Sequence, residues 1–575
     1  VKRKAKDNPQ YTGRRWLTMG ILLTGALTLV ARAVDLQILD ARFLQTQGDA
    51  RHLREIPIPA FRGTLTDRNG EPLAASTPVD SAWAHPAVLL AQDRERLVSV
   101  AFVLGLDAEQ LRAELIERSG REFYFLQRHL SPEKANQLRE LQVPGVYLQR
   151  EYQRFYPAGE VTAHLVGFTD VDDRGQEGQE LAFDAWLAGE PGARRVIKDR
   201  LGRAVEHVER LRDPKPGQTV ALSIDLRLQY IAYRQLMAAV IKHRAVAGSA
   251  VVLDIPTGEV LALVNQPSFN PNRLPRKRDA SYRNRALTDV FEPGSVFKPF
   301  TLIAAFESGE FTPESPVDTT PGTLTIGGYT IRDFRNYGLI DAATVLTKSS
   351  NVGIGKIAMQ LPAEHVWDVY QRFGFGAVTG TGFPGEAAGV LPHYRDWRMV
   401  DHVSLSRGYG VSVTTMQLAQ SFAALANGGR IRAPSFLRDF SHPAHAVVDP
   451  ALANLLVGLM ERVVTEGTGS AAVIDHFRVA GKTGTARKSG DGGYTEDGYI
   501  ATFVGFAPAS NPRIVCAVTI DDPRGDAYYG GAVAAPVFGE IMSAALRLLN
   551  VAPDAVRPGG PMTARRDAPA NEDPA

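Results

Sequence analysis

A chain of 575 residues has room for two to four domains at roughly 100–200 residues each, and its 44% hydrophobic and 22% charged residues suit a protein that buries a core, which excludes disorder as the state of the whole chain. Lys and Arg total 64 against 63 for Asp and Glu, a net charge of +1, so the concentrated basic face that nucleic acid demands is not expected. A single cysteine excludes an intramolecular disulfide; Cys516 lies in the alternating run Arg513-Ile-Val-Cys-Ala-Val-Thr-Ile520 and reads as a small buried strand residue rather than a catalytic one.

At the N-terminus, Lys2, Arg3, Lys4, Lys6, Arg14 and Arg15 precede an apolar stretch over residues 16–34, interrupted by Arg32. That stretch falls within the roughly 17–25 residues that span a bilayer, and Arg32 near its end can snorkel to the interface. The basic flank predicts a cytoplasmic tail over 1–15, a transmembrane signal-anchor helix over 16–36, and everything beyond it outside the membrane. Ala31-Arg32-Ala33 also resembles a signal-peptide processing site. The helical pattern runs on through Leu36, Ile38 and Leu39 without a Gly or Pro, which favours an uncleaved anchor.

Residues 37–218 are expected to form a mixed α+β pedestal. Arg62-Gly-Thr-Leu-Thr-Asp-Arg-Asn-Gly70 is turn-rich, and Asn69-Gly70 predicts a hairpin. Helical spacing of apolar residues predicts helices over 93–104 and 132–141. A second turn-rich region covers 156–202. With no metal-ligand or catalytic constellation in view, the expected role is scaffold or partner binding.

Asp213-Pro-Lys-Pro-Gly217 suggests a boundary. Beyond it the pattern predicts a strand over 219–224, a helix over 225–243, and two strands over 248–253 and 260–264 around the turn Pro256-Thr-Gly-Glu259. Further strands are predicted over 500–506 and 513–520, then a helix over 537–549. Strands at both ends with a helix-rich middle imply one α/β domain, 219–550, whose termini meet in a single sheet. Residues 551–575, rich in Pro, Ala and charge, read as a disordered tail.

Three short motifs fall inside that domain. In Ser295-Val-Phe-Lys298 the hydroxyl and amine are three residues apart, which on a helix puts them on one face. Serine needs a base to become a nucleophile, and a buried lysine loses the proton affinity that would disqualify it as one. Pro299 is tolerable only near a helix start, so it also places Ser295 at the positive end of a helix. Ser349-Ser350-Asn351 offers a hydroxyl and an amide on one turn, and Lys482-Thr483-Gly484-Thr485 a cation, two hydroxyls and a glycine. Each has a decoy: Ser131-Pro-Glu-Lys134 reads as a helix N-cap followed by Pro, Ser268-Phe269-Asn270 as loop, and Lys488-Ser489-Gly490 as polar loop. Singly the motifs are weak; the ordered triple is specific.

That order resembles the penicillin-binding and serine β-lactamase superfamily. More closely, the chain is similar to the division-specific, FtsI-type class B penicillin-binding proteins. The likeness rests on Phe291-Glu-Pro-Gly-Ser-Val-Phe-Lys-Pro299, Lys348-Ser-Ser-Asn-Val-Gly353 and Tyr528-Tyr-Gly-Gly-Ala-Val-Ala-Ala-Pro-Val-Phe538. It extends to the Arg62–Gly70 string, Tyr156-Pro157 with His164-Leu165, and Lys198-Asp-Arg-Leu-Gly-Arg203, so only the tail lies outside it. Asn351, where an aspartate could stand, tilts the likeness toward the septal rather than the elongation branch.

The resemblance implies a penicillin-binding α/β domain (an antiparallel sheet with helices) and a D,D-transpeptidase or carboxypeptidase acting on peptidoglycan stems ending in D-Ala-D-Ala, and a target of β-lactams. It implies Ser295 as acyl-ester nucleophile, Lys298 as its base, Ser349 as proton relay and Lys482 as a source of positive potential. Asn351 would bind the peptide amide, Thr483 and Thr485 the terminal carboxylate, and Gly484 would permit close approach. The backbone N–H groups of Ser295 and Thr485 would form the oxyanion hole. Tyr499, Tyr528 and Tyr529, with Tyr494, are candidate cleft-wall residues, for which simple packing is the competing reading. A septal glycosyltransferase and other divisome membrane proteins are implied partners, at the inner membrane of the division septum with the catalytic domain periplasmic. No metal or cofactor is expected.

Four rival readings fit the sequence less well. Gly481-Lys482-Thr483 mimics the end of a phosphate-binding loop, but His476 stands where that pattern needs glycine. A β-lactamase would carry an E-x-x-L-N string, which is not found. A bifunctional synthase would show a glycosyltransferase Glu-Asp pair, and residues 37–220 hold none of that sort. A non-catalytic divisome scaffold is disfavoured because all the motif positions are filled.

Overall fold

The computed structural model describes residues 9–39, 53–198, 204–274, 277, 279–490 and 493–555. The expected tail (551–575) and basic segment (1–15) therefore lie largely outside the described residues, as do residues 199–203.

Helix α1 (Pro9–Val34) continues into a wider turn over Asp35–Leu39, as the unbroken pattern predicted. The stretch Gly13–Ile38 has a mean hydropathy of 1.8 and none of it is buried, so it is a candidate membrane span by length and composition. A second helix passes the same length test, Gly530–Leu548, but it is largely buried as a core element.

The rest divides into two compact units; one junction falls at 217/218, but two stretches before it also belong to the larger unit. The smaller holds 78–152 and 189–217 with the N-terminal segment; the larger holds 62–77, 153–188 and 218–575. In the smaller unit, strands β1 (Leu53–Ile58), β2 (Pro72–Ala84, from residue 78 on), β3 (Tyr124–Leu130), β4 (Val146–Phe155, to residue 152), β5 (Gly192–Lys198) and β6 (Ala204–Arg212) frame helices α2 (Arg94–Leu104), α3 (Ala108–Glu117) and α4 (Pro132–Leu141). Strand β1 pairs with β5 and β5 with β6, all antiparallel, and β3 and β4 each pair with β2. Leu97, Val100, Leu104, Leu111, Leu115, Leu130 and Leu138 form its core.

Why 62–77 and 153–188 belong to the larger unit is visible at Arg62. This fully buried guanidinium donates to Glu180 (2.9 Å), Asp184 (2.7 Å) and the backbone oxygens of Asp173 and Glu180. Arg154 adds a second contact to Glu180 at 2.6 Å. Leu65, Leu73, Tyr156, Leu165 and Phe168 share one core with Leu222, Ile224, Phe269 and Tyr282. The Pro and Gly residues at 213–217 close the last segment of the smaller unit, which ends at Gly217. Asn69-Gly70 does close a turn, where Asp67 accepts from the Asn69 and Glu71 amides.

In the larger unit, α5 (Leu226–Lys242) precedes strands β7 (Ala247–Asp254) and β8 (Val260–Gln266); α6 (Lys298–Glu307), α7 (Asn351–Ala358), α8 (Thr415–Ala426) and α9 (Pro450–Thr465) follow. Strands β9 (Ala480–Gly490), β10 (Gly493–Ala507) and β11 (Ile514–Asp521) and helix α10 (Gly530–Leu548) complete it. The sheet runs β8-β7-β11-β10-β9, antiparallel throughout, so the two ends of the unit meet in one sheet as expected. Every residue of β7 and β8 is buried, which is why these strands read as apolar runs instead of alternating. One face carries Ala250, Val252, Cys516, Val518 and Phe503 beneath α5 and α10; the other carries Val251, Leu253, Val515 and Phe506 beneath α6, α8 and α9. Cys516 is the buried core residue anticipated. Helix α10 begins seven residues before the expected 537, since Pro536 and the Gly530-Gly531 pair read as breakers while burial of one face carries the helix through them.

Candidate active site

Ser295 sits in the single 3-10 turn Gly294–Phe297 that leads directly into α6, with Pro299 in the first turn of that helix. Apolar packing fixes this helix: Phe300, Leu302, Ile303 and Ala304 are fully buried, and Phe300 meets Phe373, Phe375 and Phe422 edge or face. Gly294 has φ +57, and its amide donates to the Gly408 oxygen at 3.0 Å. A Cβ on Gly408 would lie 2.2 Å from the Gly294 oxygen, so only glycine lets the two backbones close. On the other side the turn lies against the edge strand β9, where a Cβ on Gly484 would come within 2.8 Å of the Pro293 oxygen.

Lys298 opens α6 and is completely buried. Its ammonium donates to the Ser349 backbone oxygen at 2.5 Å, Ser349 Oγ at 3.2 Å and Asn351 Oδ1 at 2.9 Å. Lys482, on β9 and also completely buried, reaches the same hydroxyl at 3.0 Å. Two ammonium groups therefore converge on one oxygen. Two like charges brought this close in a buried place repel one another, which favours loss of a proton from the pair. Burial is the larger cause and repulsion by Lys482 the next, together holding Lys298 well below its ordinary range; Asp333 opposes them and Arg407 adds to them. Burial alone brings Lys482 down to about 7.

Ser349 adopts φ +58, a left-handed conformation that non-glycine residues take at a cost of ~1–2 kcal/mol, and the strain places its oxygens between the two lysines. What holds it is a residue that motif reasoning did not single out. Asp333 accepts from Ser350 Oγ (2.6 Å) and from the amides of Asn351 and Val352 (3.0 Å for the latter), while Ser350 caps the same helix at the Gly353 amide. Asn351 Nδ2 donates to the Arg332 oxygen at 3.0 Å. A carboxylate at the positive start of α7 is favourable on electrostatic grounds, but a lone aspartate distant in sequence from the S-x-N motif carries no local signature.

On β9, Thr483 Oγ1 meets Thr468 Oγ1 at 2.6 Å, and Thr485 Oγ1 accepts from the Gly530 amide at 3.0 Å, which leaves its own proton free to donate. The structure thus brings Ser295, Lys298, Ser349, Asn351, Lys482, Thr483, Gly484 and Thr485 to one place. The tyrosines also cluster: Tyr499 stacks on Tyr528 at 4.2 Å and Tyr528 on Tyr529 at 4.3 Å, with Tyr529 half exposed. Tyr494 stands apart from them, donating to Glu292 at 3.2 Å and meeting Tyr409 edge-on. Glu292 also accepts from the Gly410 amide and its carboxyl is pushed up by burial. Thr468 and Tyr409 join Asp333 among the residues without a motif to announce them, and Glu292 stands inside the Ser295 string with no role read for it. The decoys hold none of this company: Ser131 Oγ accepts from the Lys134 amide, and Ser268 Oγ donates to the Glu160 oxygen. The expected polar loop at 488–490 is part of strand β9. Among the described residues no group of His, Cys, Asp and Glu could hold a metal.

Residues 248–543 match the family model described as the penicillin-binding protein transpeptidase domain, and 57–222 the penicillin-binding protein dimerisation domain. The chain is 43% identical over 542 residues to a probable peptidoglycan D,D-transpeptidase, PbpC, of Pseudomonas aeruginosa, covering 94% of this chain and 95% of that one. It is 41% identical over 564 residues to the peptidoglycan D,D-transpeptidase FtsI of Escherichia coli K12, covering 97% and 95%. Among solved structures it resembles penicillin-binding protein 3 of Mycobacterium tuberculosis complexed with aztreonam (TM-score 0.67, 28% identity, 87% and 98% covered). It also resembles the transpeptidase domain of Burkholderia pseudomallei penicillin-binding protein 3 (TM-score 0.54, 41% identity, 58% and 98% covered). With a buried two-lysine serine centre at the heart of the matched region, the chain belongs to the penicillin-binding protein transpeptidase family.

Proposed function

We propose that this protein is a peptidoglycan D,D-transpeptidase of the division septum, working through an acyl-enzyme on Ser295 and open to acylation by β-lactams. The observation that carries the reading is the convergence of two buried lysines on Ser349 Oγ, one of them three residues from Ser295. Ser295 Oγ attacks the carbonyl of the penultimate D-Ala while neutral Lys298 takes its proton. The oxyanion that forms is bound by the amides of Ser295 and Thr485; loss of one such donor typically costs about 10²–10³ in rate. Collapse breaks the peptide bond, and a proton passed through Ser349 and Lys482 leaves with the terminal D-Ala. The amine of a second stem then attacks the ester, returning the proton and freeing Ser295. Lys482 and the hydroxyls of Thr483 and Thr485 hold the terminal carboxylate. Asn351 receives the peptide amide once a bound substrate replaces its present partners, and Tyr499, Tyr528 and Tyr529 wall the cleft.

The helix α1 serves as an uncleaved anchor in the inner membrane, with residues 1–15 cytoplasmic and the rest periplasmic. Residues 37–218 act as a pedestal for a septal glycosyltransferase and other divisome membrane proteins, and 219–550 carry the chemistry. Mass spectrometry of peptides after treatment with penicillin tests the central reading: an adduct on Ser295 is expected, and an unmodified Ser295 overturns it. In cells relying on a Ser295→Ala chain, filamentation with placed but unfinished septa is expected. Rounded cells would assign the elongation role instead, and normal division a non-catalytic one.

A further inference from the structure

Glu292 stands three residues before Ser295 and takes no part in the proposed chemistry. Its Oε1 accepts from the Gly410 amide at 2.7 Å and from the Tyr494 hydroxyl at 3.2 Å. One carboxylate oxygen therefore ties together three segments: the approach to the serine's turn, the loop over Arg407–Gly410, and the β9–β10 hairpin. The loop in turn grips the serine's turn, because the Gly408 oxygen accepts from the Gly294 amide at 3.0 Å. Just beyond it, Phe291 and Val413 exchange backbone hydrogen bonds at 3.0 and 2.9 Å. The other carboxylate oxygen of Glu292, Oε2, is sealed from solvent without a partner. Burial pushes this carboxyl up, and the Arg407 cation is among the groups that oppose it. Leaving half of a buried carboxylate unmet costs stability, so packing alone does not account for the residue.

The hairpin needs such a tie. Strands β9 and β10 pair in step from Ala480 opposite Phe506 to Arg487 opposite Tyr499, but the next pairs are Ser489 with Tyr494 and Gly490 with Gly493. Strand β9 advances two residues there while β10 advances five, so an irregular bulge separates the outer arm of the hairpin from the main ladder. A bulge bends its strand and interrupts the ladder, which leaves the position of the arm to tertiary contacts. Tyr494 supplies them. Besides bonding Glu292 it meets Tyr409 edge-on at 5.8 Å, and the Arg407 guanidinium lies 5.1 Å over the Tyr409 ring. Burial and the neighbouring Glu292 both push the Tyr494 phenol up, so it keeps the proton that it donates. The arm begins just past Thr485, at the end of the strand edge read as holding substrate. We propose that Glu292 is a positioning residue for acylation: its carboxylate latches the outer arm of the hairpin and the Arg407–Gly410 loop to the turn of Ser295, so that serine and strand edge meet substrate as one frame. The effect on acylation rests on the proposed role of Ser295; the latch itself does not.

Acylation of the full chain in detergent by a fluorescent penicillin, followed over a range of concentrations, separates the half-saturating concentration from the limiting rate. Tyr494→Phe removes only the bond to the arm. It is expected to raise the half-saturating concentration about tenfold, the scale of a hydrogen bond to a charged group, and to move the limiting rate by no more than about twofold. Glu292→Ala frees the loop as well and is expected also to lower the limiting rate about tenfold, because the turn of Ser295 loses its support. Glu292→Gln keeps an accepting oxygen and is expected to stay within about threefold of the parent in both quantities. Tyr494→Phe added to Glu292→Ala is expected to change nothing further, since the latch is already gone. Effects that multiply overturn the proposal, as does a Tyr494→Phe chain that matches the parent or a Glu292→Gln chain that behaves as Glu292→Ala does. Tyr494 is half exposed, so its variant decides the matter even where Glu292→Ala fails to fold. Hydrogen exchange without penicillin reads the latch separately: the amides of the arm are expected to exchange about tenfold faster in Tyr494→Phe, and unchanged protection overturns the latch. A chain that shows this faster exchange but takes no penicillin retains the latch and refutes the Ser295 reading instead.

Discussion

Ser131 and Lys134 stand three residues apart, as Ser295 and Lys298 do, and each pair opens a helix with a proline in its first turn. In the smaller unit Ser131 Oγ accepts from the Lys134 amide, and the Lys134 ammonium satisfies the exposed end of another helix at the Leu104 oxygen, 2.9 Å away. In the larger unit Lys298 is stripped of water, faces a second cation, and donates to three oxygens of one strained turn. Spacing is shared; what differs is burial and company. A lysine that keeps its solvent stays an ammonium and can only donate. One that loses solvent beside another cation gives up its proton cheaply, and that makes it a base.

The largest effects should separate the two serines. Ser295→Ala is expected to abolish covalent penicillin adducts altogether, and Ser131→Ala to leave their yield unchanged, read by fluorescent labelling. Lys298→Ala should slow acylation by about 10²–10⁴, the usual contribution of a general base, and Lys298→Arg should fail equally because guanidinium holds its proton. Lys134→Ala should acylate normally. Fast acylation by either Lys298 variant would break the comparison at its centre.

Much of this was legible in the sequence because the chemistry is written in contiguous strings. The triple of motifs, the sheet joining both ends of the domain, the N-cap at Ser131 and the buried Cys516 all follow from local patterns. What was hidden depends on contacts between distant segments. Asp333 acts on a turn from another strand pair, Thr468 is an unremarkable Glu-Gly-Thr-Gly residue, and Arg62 opens a turn-rich string with nothing to show that it pairs, buried, with Glu180 and Asp184. Residues 62–77 and 153–188 were assigned by continuity, whereas buried charge and shared core fix where they pack. Tyr499, Tyr528 and Tyr529 stack as one group, whereas Tyr494 belongs with Glu292.

The pH dependence follows from the two buried lysines of the larger unit. Lys482 is depressed to about 7 from 10.5. Its folded value lies below its unfolded one, so between those pH values the unfolded chain binds more protons and stability rises with pH. Below about pH 7 the full penalty of burying it is present. Lys482→Met should therefore raise stability at neutral pH and remove that slope from thermal melts. For acylation, the acid limb follows deprotonation of Lys298. Removing the Lys482 charge should move that limb to higher pH, because the repulsion that lowers Lys298 is gone. Asp333→Asn keeps the shape and one of the two accepting oxygens but removes the anion that raises Lys298, so it should move the limb to lower pH. Shifts in the same direction for both variants would show that the charges act through structure alone.

The smallest effect belongs to the other serine. Ser131→Ala removes an N-cap bond to the Lys134 amide that is long, at 3.3 Å, so the loss should sit in the lower part of the usual range of about 0.5–2 kcal/mol. Because the chain has two compact units, a single unfolding curve would blur so small a change. Hydrogen exchange of the Lys134 amide reads it directly: the cost corresponds to roughly a 2–10-fold faster exchange. Ser131→Asp, which restores a capping oxygen, should return exchange to the parent rate. Both variants should label with penicillin as the parent does. If exchange were unaffected by Ser131→Ala, the N-cap reading of the decoy would fail, and if labelling fell along with protection, the two serines would not be as independent as their surroundings make them.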